Sequence, residues 1–577
     1  MSVLKKVMVL LDKKQKRTMI GLIFIMLIGA ILEAASITVI FPAIQAIIEP
    51  EAVESGITGS IYRFLGMKSV DQFIVVVLVG MIVAFILKNV FLFFQMKALF
   101  RFIYSNQFRT SERMMKNFLS KDYEFYLNAD TAVIQRSITS DVNNMYAYIL
   151  ALLQIASEAI VFVTLTTVLL ISDFVMTLVI AVVMVLTLYV IKIVIKPIMK
   201  KSGKENQDFY SGLFKWISQT VTGIKEVKIG GKENYFIDEY LKCGYGYVNA
   251  VQKYSLYNNT PRLLIETICI ICMVGYLAAV VIAGGDVATL TPIISVFALA
   301  AMRLMPCANR INNQLTNLAY FEPFVLGISD NLQDEINNPD YVKEFSSKEV
   351  KKLPVEKEIV LKDITYVYPN TEVFIFDKAN MTIPVGSAVG IVGSSGAGKT
   401  TIVDILLGLL NLRDGKILAD GVDVQTQYYG WLKNIGYIPQ MIFMLDDTIR
   451  KNVAFGIPEE EIDDERVMQA LKEAQLDEFV KGLPDGLDTT IGERGIRLSG
   501  GQRQRIGIAR ALYEDPEILI LDEATSALDN DTEAAIMESI NHFQGKKTLV
   551  IIAHRLQTIE KCDMVFRVEN AQILRER

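Results

Sequence analysis

Histidine is nearly missing: His542 and His554 are the only two in 577 residues. That excludes a His-rich metal site. Cysteine is scarce as well. Cys243, Cys269, Cys272, Cys307 and Cys562 give neither a disulfide framework nor paired zinc spacing. Charged residues reach only 21%, against 51% hydrophobic, and the mean hydropathy is +0.34. So much apolar surface excludes a disordered chain and argues against a purely water-soluble one. The length allows up to about four domains.

The net charge of −6 hides an asymmetry. Residues 1–325 carry 30 Lys and Arg and 22 Asp and Glu, net +8. Residues 326–577 carry 28 and 42, net −14. A basic, apolar half precedes an acidic, polar one. So acidic a second half is a poor partner for nucleic acid. The cations of the first half suit lipid headgroups.

A membrane-crossing helix needs about 20 mostly apolar residues. Six segments qualify. The first covers Thr18–Ile48, with Glu33 its only charge, and the second starts near Gln72 and passes Lys88. The third and fourth, Met145–Ile171 and Phe174–Ile191, are separated only by Ser172 and Asp173, which predicts a tight hairpin. The fifth runs from Arg262 to Ala283, before Gly284 and Gly285, and the sixth from Leu290 past Arg303. Lys5, Lys6, Lys13, Lys14, Lys16 and Arg17 precede the first, and the segments after the second and fourth are also basic. By the positive-inside bias both termini and the two long loops are cytoplasmic. The apolar run before Asp12 is too short for a signal peptide, so no cleavage is expected. The stretch is also too short for an additional N-terminal protease domain. The long loops alternate apolar and charged residues at helical spacing, as in Phe100-Arg101-Phe102-Ile103-Tyr104. They read as membrane helices continuing into the cytoplasm and turning back.

Residues 326–354 are polar and read as a linker, so the expected division is a membrane domain over 1–325 and a second domain over 355–577. In the second, short apolar runs alternate with helical patterns, the mark of an α/β fold with a largely parallel core. Gly393-Ser394-Ser395-Gly396-Ala397-Gly398-Lys399-Thr400 follows the apolar run Ala388–Val392 and precedes the apolar helix Ile402–Leu410. This is the strand–loop–helix setting of a phosphate loop. Its glycines let backbone N–H groups turn onto phosphate oxygens at a helix N-terminus. Lys399 is placed for the β- and γ-phosphates, and the Thr400 hydroxyl for Mg²⁺. Ile518-Leu519-Ile520-Leu521 is a buried strand ending in Asp522 and Glu523. Asp522 suits Mg²⁺ through water, and Glu523 can orient or deprotonate an attacking water. A third apolar strand, Thr548–Ala553, ends at His554, whose position at a core strand tip suits sensing a γ-phosphate. His542 receives no role.

Leu498-Ser499-Gly500-Gly501-Gln502, just before the Asp522 strand, resembles the signature of ABC ATPases, and the other motifs of that family fall in order. Tyr368 matches the aromatic that stacks on adenine, and Gln440, after Tyr437-Ile438-Pro439, the Q-loop glutamine that reaches the metal. Glu493-Arg494-Gly495 matches the exporter X-loop, Ser526-Ala527-Leu528-Asp529 the D-loop, and His554 the switch histidine. Six membrane helices before one ATPase resemble an ABC exporter half-transporter. The resemblance implies a six-helix membrane domain with long cytoplasmic extensions fused to an α/β P-loop domain, using ATP and Mg²⁺. ATP would contact Tyr368, Gly393 to Thr401, Gln440 and Asp522. Catalysis would rest on Glu523, His554 and Lys399. Ser499, Gly500, Gly501, Gln502 and Asp529 would complete the site from an opposing chain, so a homodimer is implied. Coupling helices are expected near Tyr126–Val133 and Leu213–Val221.

Cations inside a membrane are costly and usually face a cavity. Lys88, Arg262, Arg303 and Arg310 lie in or near helices two, five and six. Arg303 and Arg310 are two turns apart on one face, with Asn309 adjoining. Guanidinium forks match phosphate oxygens, so the set suits a pyrophosphate. It also admits plainer readings: Arg262 pairs with Glu266, Glu33 or Glu158 neutralises a cation, or Arg310 snorkels. Ala301–Ile311 resembles the sixth helix of bacterial lipid-linked oligosaccharide flippases, and the Glu49–Gln72 loop, with Ile57–Leu65 as a short amphipathic helix, is similar to theirs. The implied substrate is a polyprenyl pyrophosphate-linked glycan, and the implied site a bacterial cytoplasmic membrane. Export of amphipathic drugs, lipids or peptides is the alternative. An ABC ATPase that regulates a channel or partner without pumping is the alternative of another class.

Overall fold

The computed structural model describes residues 3–38, 70–172, 182, 189–282, 287–338, 350–523, 536–538, 540, 542–552 and 559–577. They fall into two compact units: Met1–Lys121 with Ala129–Lys343, and Asp122–Asn128 with Glu344–Arg577.

The first unit is helical. α1 (Val3–Leu10) turns into α2 (Lys13–Thr38) at Asp12. The Gln15 N–H donates to Asp12 Oδ1 at 2.6 Å, and the Asp12 N–H donates to Gln15 Oε1 at 2.8 Å. This reciprocal cap satisfies donors that a helix start leaves open. α3 (Val70–Leu119) has 50 residues, about 75 Å at 1.5 Å per residue. It contains no proline and runs unbroken through Phe100–Tyr104, the continuation that the spacing predicts. Next in the chain comes the short α4 (Tyr123–Asn128), which belongs to the second unit, and then α5 (Thr131–Arg136) of the first, capped by Asp130, whose Oδ1 accepts from the Ala132 N–H at 2.9 Å. A π turn, Ser137–Asp141, leads into α6 (Val142–Ser172). The remaining helices are α7 (Lys196–Thr222), α8 (Ile224–Gly230), α9 (Glu233–Ile282), α10 (Val287–Asn331) and α11 (Gln333–Asn337). Phe102, Ile103, Met114, Tyr146, Ile149, Val325 and Ile328 bury one another in the largest core of this unit.

Among the described residues, three helices are long and apolar enough to cross a membrane: Lys13–Glu33, Gln72–Leu119 and Thr131–Thr164. The expected hairpin at Asp173, most of the fourth span, the Gly284-Gly285 turn and the amphipathic helix Ile57–Leu65 lie outside the described residues.

Three expectations shift. The expected coupling segment Tyr126–Val133 is divided between the end of α4 and the start of α5, because Asp130 stops the chain to cap α5. Leu213–Val221 is not a separate helix: it lies inside α7, and the break comes at Gly223. The linker expected from 326 is helical through Asn337. Ile328 and Leu332 are fully buried there and extend the apolar stripe that composition alone did not reveal.

The second unit holds two sheets. β1 (Glu358–Val367), β2 (Phe374–Pro384), β4 (Asp414–Ala419) and β5 (Val422–Asp423) form an antiparallel sheet in the order β2-β1-β4-β5, which the parallel-core expectation did not include. β3 (Ala388–Val392), β6 (Ile435–Ile438), β7 (Ile518–Asp522), β8 (Thr548–Ile552), β9 (Met564–Glu569) and β10 (Gln572–Arg575) form the other, ordered β10-β9-β3-β8-β7-β6. All its pairs are parallel except β9–β10. β7 and β8 are buried at every residue, as strands covered on both faces must be. Helices α12 (Lys399–Leu406) and α13 (Gly500–Tyr513) complete the frame of the site.

Candidate functional site

Strand order brings the chemistry together. Ile552, the last residue of β8, pairs with Ile391 on one side and Asp522 on the other. The loop after β3 and the carboxylates ending β7 therefore flank the tip of β8, one strand apart.

The Gly393–Thr400 loop is shaped around Lys399, which is 6% exposed. Its Nζ donates to the carbonyls of Gly393 and Ser394, each at 3.1 Å. Gly398 holds φ +105, where a side chain is strained. A Cβ on Gly393 would lie 2.7 Å from the Val568 carbonyl oxygen. Thr400 Oγ1 stands 3.5 Å from Asp522 Oδ1. Burial first, then the neighbouring charge of Glu523, pushes the Asp522 carboxyl above its ordinary range. Burial and then Asp522 raise Asp404, on α12, to about 6. Glu523 sits at φ +47, beyond the strand, and its Oε2 accepts from Gln440 Nε2 at 2.7 Å. Tyr368 and Thr401 share a hydroxyl–hydroxyl bond of 2.9 Å.

The signature segment is built differently. Ser499 caps α13: the Gln502 N–H donates to Ser499 Oγ at 3.2 Å, and the Ser499 N–H to Gln502 Oε1 at 2.8 Å. Ser499 and Gly500 are exposed, and a Cβ on Gly500 would meet nothing within 4 Å.

Residues 36–304 match the ABC transporter transmembrane region, and residues 376–526 the ABC transporter domain. Over 475 residues the chain is 30% identical to an ATP-dependent lipid A-core flippase of Haemophilus influenzae (strain 86-028NP), covering 81% of this chain and 78% of that protein. The chain belongs to the ABC transporters. The transporter is also 40% identical to the flippase of the same description from Escherichia coli (strain K12), over 218 residues that span 38% of this chain and 37% of that one. A bacterial Atm1-family ABC exporter, solved with ATP bound, superposes with a TM-score of 0.77 over 97% of the transporter and 95% of that chain. At 22% identity this likeness speaks for the fold: a helical membrane domain fused to an ABC ATPase domain.

The transporter is an ATP hydrolase coupled to transport, with ATP and Mg²⁺ as cofactors. Its residues fit them. The loop leaves no room for a side chain at Gly393, Lys399 supplies a buried cation, and Thr400 and Asp522 offer adjacent oxygens, the Asp522 carboxyl being disfavoured as a lone anion by burial and Glu523. A divalent cation would answer that crowding of negative charge.

Of the residues singled out in the sequence, the structure groups Lys399, Thr400, Asp522, Glu523 and Gln440 around the β3 and β7 ends, with Tyr368 attached through Thr401. Ser394, Ser395, Gly396 and Ala397 form the loop between. His554 and Asp529 lie outside the described residues. The membrane cations do not form one described cluster. Arg310 Nε pairs with Glu158 Oε1 at 2.6 Å, as one of the plainer readings held. Lys88 lies 4.4 Å from the Phe85 ring centre, Arg262 is exposed, and the Arg303 side chain lies outside the described residues.

The sequence reading missed two fixtures. Asn452 holds the stretch after Gln440: its amide receives the Leu445 N–H at 2.9 Å and donates to the Leu445 and Thr448 carbonyls at 3.1 and 3.0 Å. Arg510 of α13 donates to the Asn452 and Phe443 carbonyls, both at 2.8 Å. The Gln440 segment and the signature helix thus share an anchor. The second fixture is α4. Glu124 Oε1 accepts from the Tyr366 hydroxyl at 3.0 Å and the Asn411 N–H at 3.2 Å, while Asn411 Nδ2 donates to Asp122 Oδ2 at 3.2 Å. Tyr366 is fully buried and packs edge-on against Tyr368. No motif marks these residues: Arg510 is 58 and 67 positions from its partners, and those of α4 are 242 to 289 positions away.

Proposed function

We propose that the chain is one half of a homodimeric flippase in a bacterial cytoplasmic membrane, moving a polyprenyl pyrophosphate-linked oligosaccharide from the inner to the outer leaflet. Both termini and the ATPase domain are cytoplasmic. The helices of the membrane domain run through Asn337, beyond the end near 325 that the sequence suggested, and the ATPase domain starts near 355. ATP is held by Tyr368, the loop from Gly393 to Thr401, Gln440 and Asp522, with Mg²⁺ on Thr400, Gln440 and Asp522. Glu523 and His554 serve the attacking water, and Lys399 the phosphate charge. Ser499, Gly500, Gly501, Gln502 and Asp529 serve the opposing chain's site. The flippase relatives support the lipid substrate class. α4, seated on Tyr366 and Asn411, carries the state of the phosphate helix to its flanking helices through the Tyr366–Tyr368–Thr401 contacts.

The observation that carries the pyrophosphate reading is on α10. Arg310 follows Arg303 by two turns, and its half-exposed guanidinium is held by one carboxylate oxygen of Glu158. Oε2 of Glu158 is buried without a hydrogen-bond partner among the described residues, so the pair is only partly satisfied. A pyrophosphate offers Arg310 a better fork partner and would displace Glu158. Arg303→Gln with Arg310→Gln should therefore abolish flipping in proteoliposomes while basal ATPase persists. Each lost charge-assisted contact should weaken substrate binding roughly tenfold to a hundredfold. Glu158→Gln should tighten binding of a pyrophosphate-linked substrate. Normal flipping by the folded double variant would reject the reading in favour of export of other amphipathic compounds.

A further inference from the structure

The corner where α1 meets α2 carries cations that no ion pair neutralises among the described residues. Asp12 is the only carboxylate before Glu33, and it is engaged in the cap with Gln15. Lys6 pairs with Asp330 at 3.0 Å. Among the described residues, Lys5, Lys13, Lys14, Lys16 and Arg17 form no ion pair, and four of them (all but Lys16) are exposed.

Their placement follows the outer stripe of the span. Among the described residues of α2 the exposed large apolar side chains are Ile20 at 64%, Phe24 at 63%, Ile28 at 39%, Ile31 at 53% and Leu32 at 37%. These recur at helical spacing and fall within an arc of about 120°. Stepping back along the same arc by three and seven residues reaches Arg17 and Lys13. The exposed apolar stripe therefore runs directly into two cations, Arg17 one turn and Lys13 two turns before its first residue. α1 repeats the pattern. Val7 and Leu10 are buried in the helical core, while Leu4 (52%), Lys5 and Val9 (42%) face outward.

We infer that this corner is a binding surface for anionic phospholipid headgroups of the inner leaflet. Apolar side chains of α1 and α2 enter the acyl boundary, and Lys5, Lys13, Lys14 and Arg17 sit at the level of the phosphates. The corner is also fastened to the rest of its unit. Arg113 of α3 donates to the Leu10 carbonyl and to Glu335, each at 2.8 Å, and Gln15 Nε2 donates to Asn106 Oδ1 at 3.1 Å. Headgroup binding thus acts on α3 and on the end of α10, and transport activity should depend on leaflet charge.

The test uses the full chain in nanodiscs. Lipid retained by the protein is measured from mixtures of phosphatidylglycerol and phosphatidylcholine, between low and high salt. Wild type should enrich phosphatidylglycerol, and the enrichment should fall with ionic strength. Lys13→Gln, Lys14→Gln and Arg17→Gln together should lower it, about fivefold per cation. Their Lys↔Arg exchanges should preserve it, and ATPase in detergent should stay unchanged. Soluble glycerophosphate should not compete at millimolar concentration, because it lacks the acyl contribution. Equal retention of both lipids by wild type, or enrichment indifferent to salt, would overturn the inference. Competition by glycerophosphate would reassign the corner to free phosphates. Should the triple variant fail to insert, the lipid and salt series on wild type still decides.

Discussion

The phosphate loop and the signature segment lie in one unit and are both glycine-rich, yet they are built to opposite plans. In the loop, the ends are fixed inward, where Lys399 is buried, Gly393 has a carbonyl against it and Thr400 Oγ1 stands near Asp522, while Ser394, Ser395 and Gly396 between them are exposed. At the signature, Ser499 and Gln502 cap each other, Gly500 faces open space, and the helix start is exposed. The first is nearly complete within the chain. The second is satisfied as structure and displayed as surface. A surface of that kind is what a site shared between two copies requires of each. The comparison therefore argues for trans assembly from geometry rather than from motif order alone.

The strongest way to break this contrast is at the loop's own chemistry. Glu523→Gln leaves the Gln440 side chain a neutral oxygen to bond but removes the proton acceptor. ATP binding should persist, while turnover should fall by about 10²- to 10⁴-fold, the range for a lost general base. Lys399→Ala should instead weaken nucleotide binding or hydrolysis directly. Phosphate release and nucleotide-binding assays separate the two, and near-normal turnover in Glu523→Gln would remove that residue from its role.

The next effect is smaller and tests the displayed surface. Ser499→Arg places bulk and charge at an exposed cap, so the ATPase unit should fold, with the cap loss costing about 1 kcal/mol. Co-expressed with Lys399→Ala chains and isolated as heterodimers, it should leave at most one working site in each dimer. Retention of full ATPase by isolated Ser499→Arg homodimers would show that the signature is not part of the site.

The mildest prediction sharpens the comparison with an anion cradle that the chain fills itself. Asp420 accepts the N–H groups of Glu356, Lys357 and Glu358 at 2.7, 3.0 and 2.9 Å. These bonds, the Glu356 amide first, hold its carboxyl below the ordinary value. A depressed carboxyl stabilises the fold above its unfolded value near 3.8 and loses that contribution as pH falls through the folded value. Asp420→Asn should lower the thermal midpoint of the full chain at pH 7 slightly, corresponding to no more than about 1 kcal/mol of stability because solvent screens the group. The gap to wild type should close below about pH 4. A gap that stays constant from pH 7 to pH 3 would show that the charge is not what the amides hold.

The sequence made the nucleotide elements legible because phosphate chemistry fixes residue types at fixed spacing. Strands β3, β7 and β8 and helix α12 stand where their apolar runs indicated. What it obscured were features set by distant partners. The stretch from the end of α10 through α11 read as a polar linker, since few apolar residues, Ile328, Leu332 and Ile336, face the core there. The antiparallel sheet has strands whose alternation carries no chemistry. Arg310 looked like a cavity cation because Glu158 lies 152 positions away. Asn452 and Arg510 belong to no pattern, and act only because folding brings a loop against a helix.

The seat of α4 has a consequence for how the chain is made. Glu124 and Tyr366 are 242 positions apart. At a synthesis rate of about 5–20 residues per second, α4 leaves the ribosome roughly 12–48 s before β1 exists to receive it. No residue of α4 is buried in the finished protein, and Phe125, Tyr126 and Leu127 are each about two-fifths exposed. The nascent chain thus carries an aromatic segment for that interval without the hydroxyl and amides that later hold it. The ATPase unit is completed by a piece already synthesised with the first half, so an isolated 344–577 fragment would be a domain with an empty place.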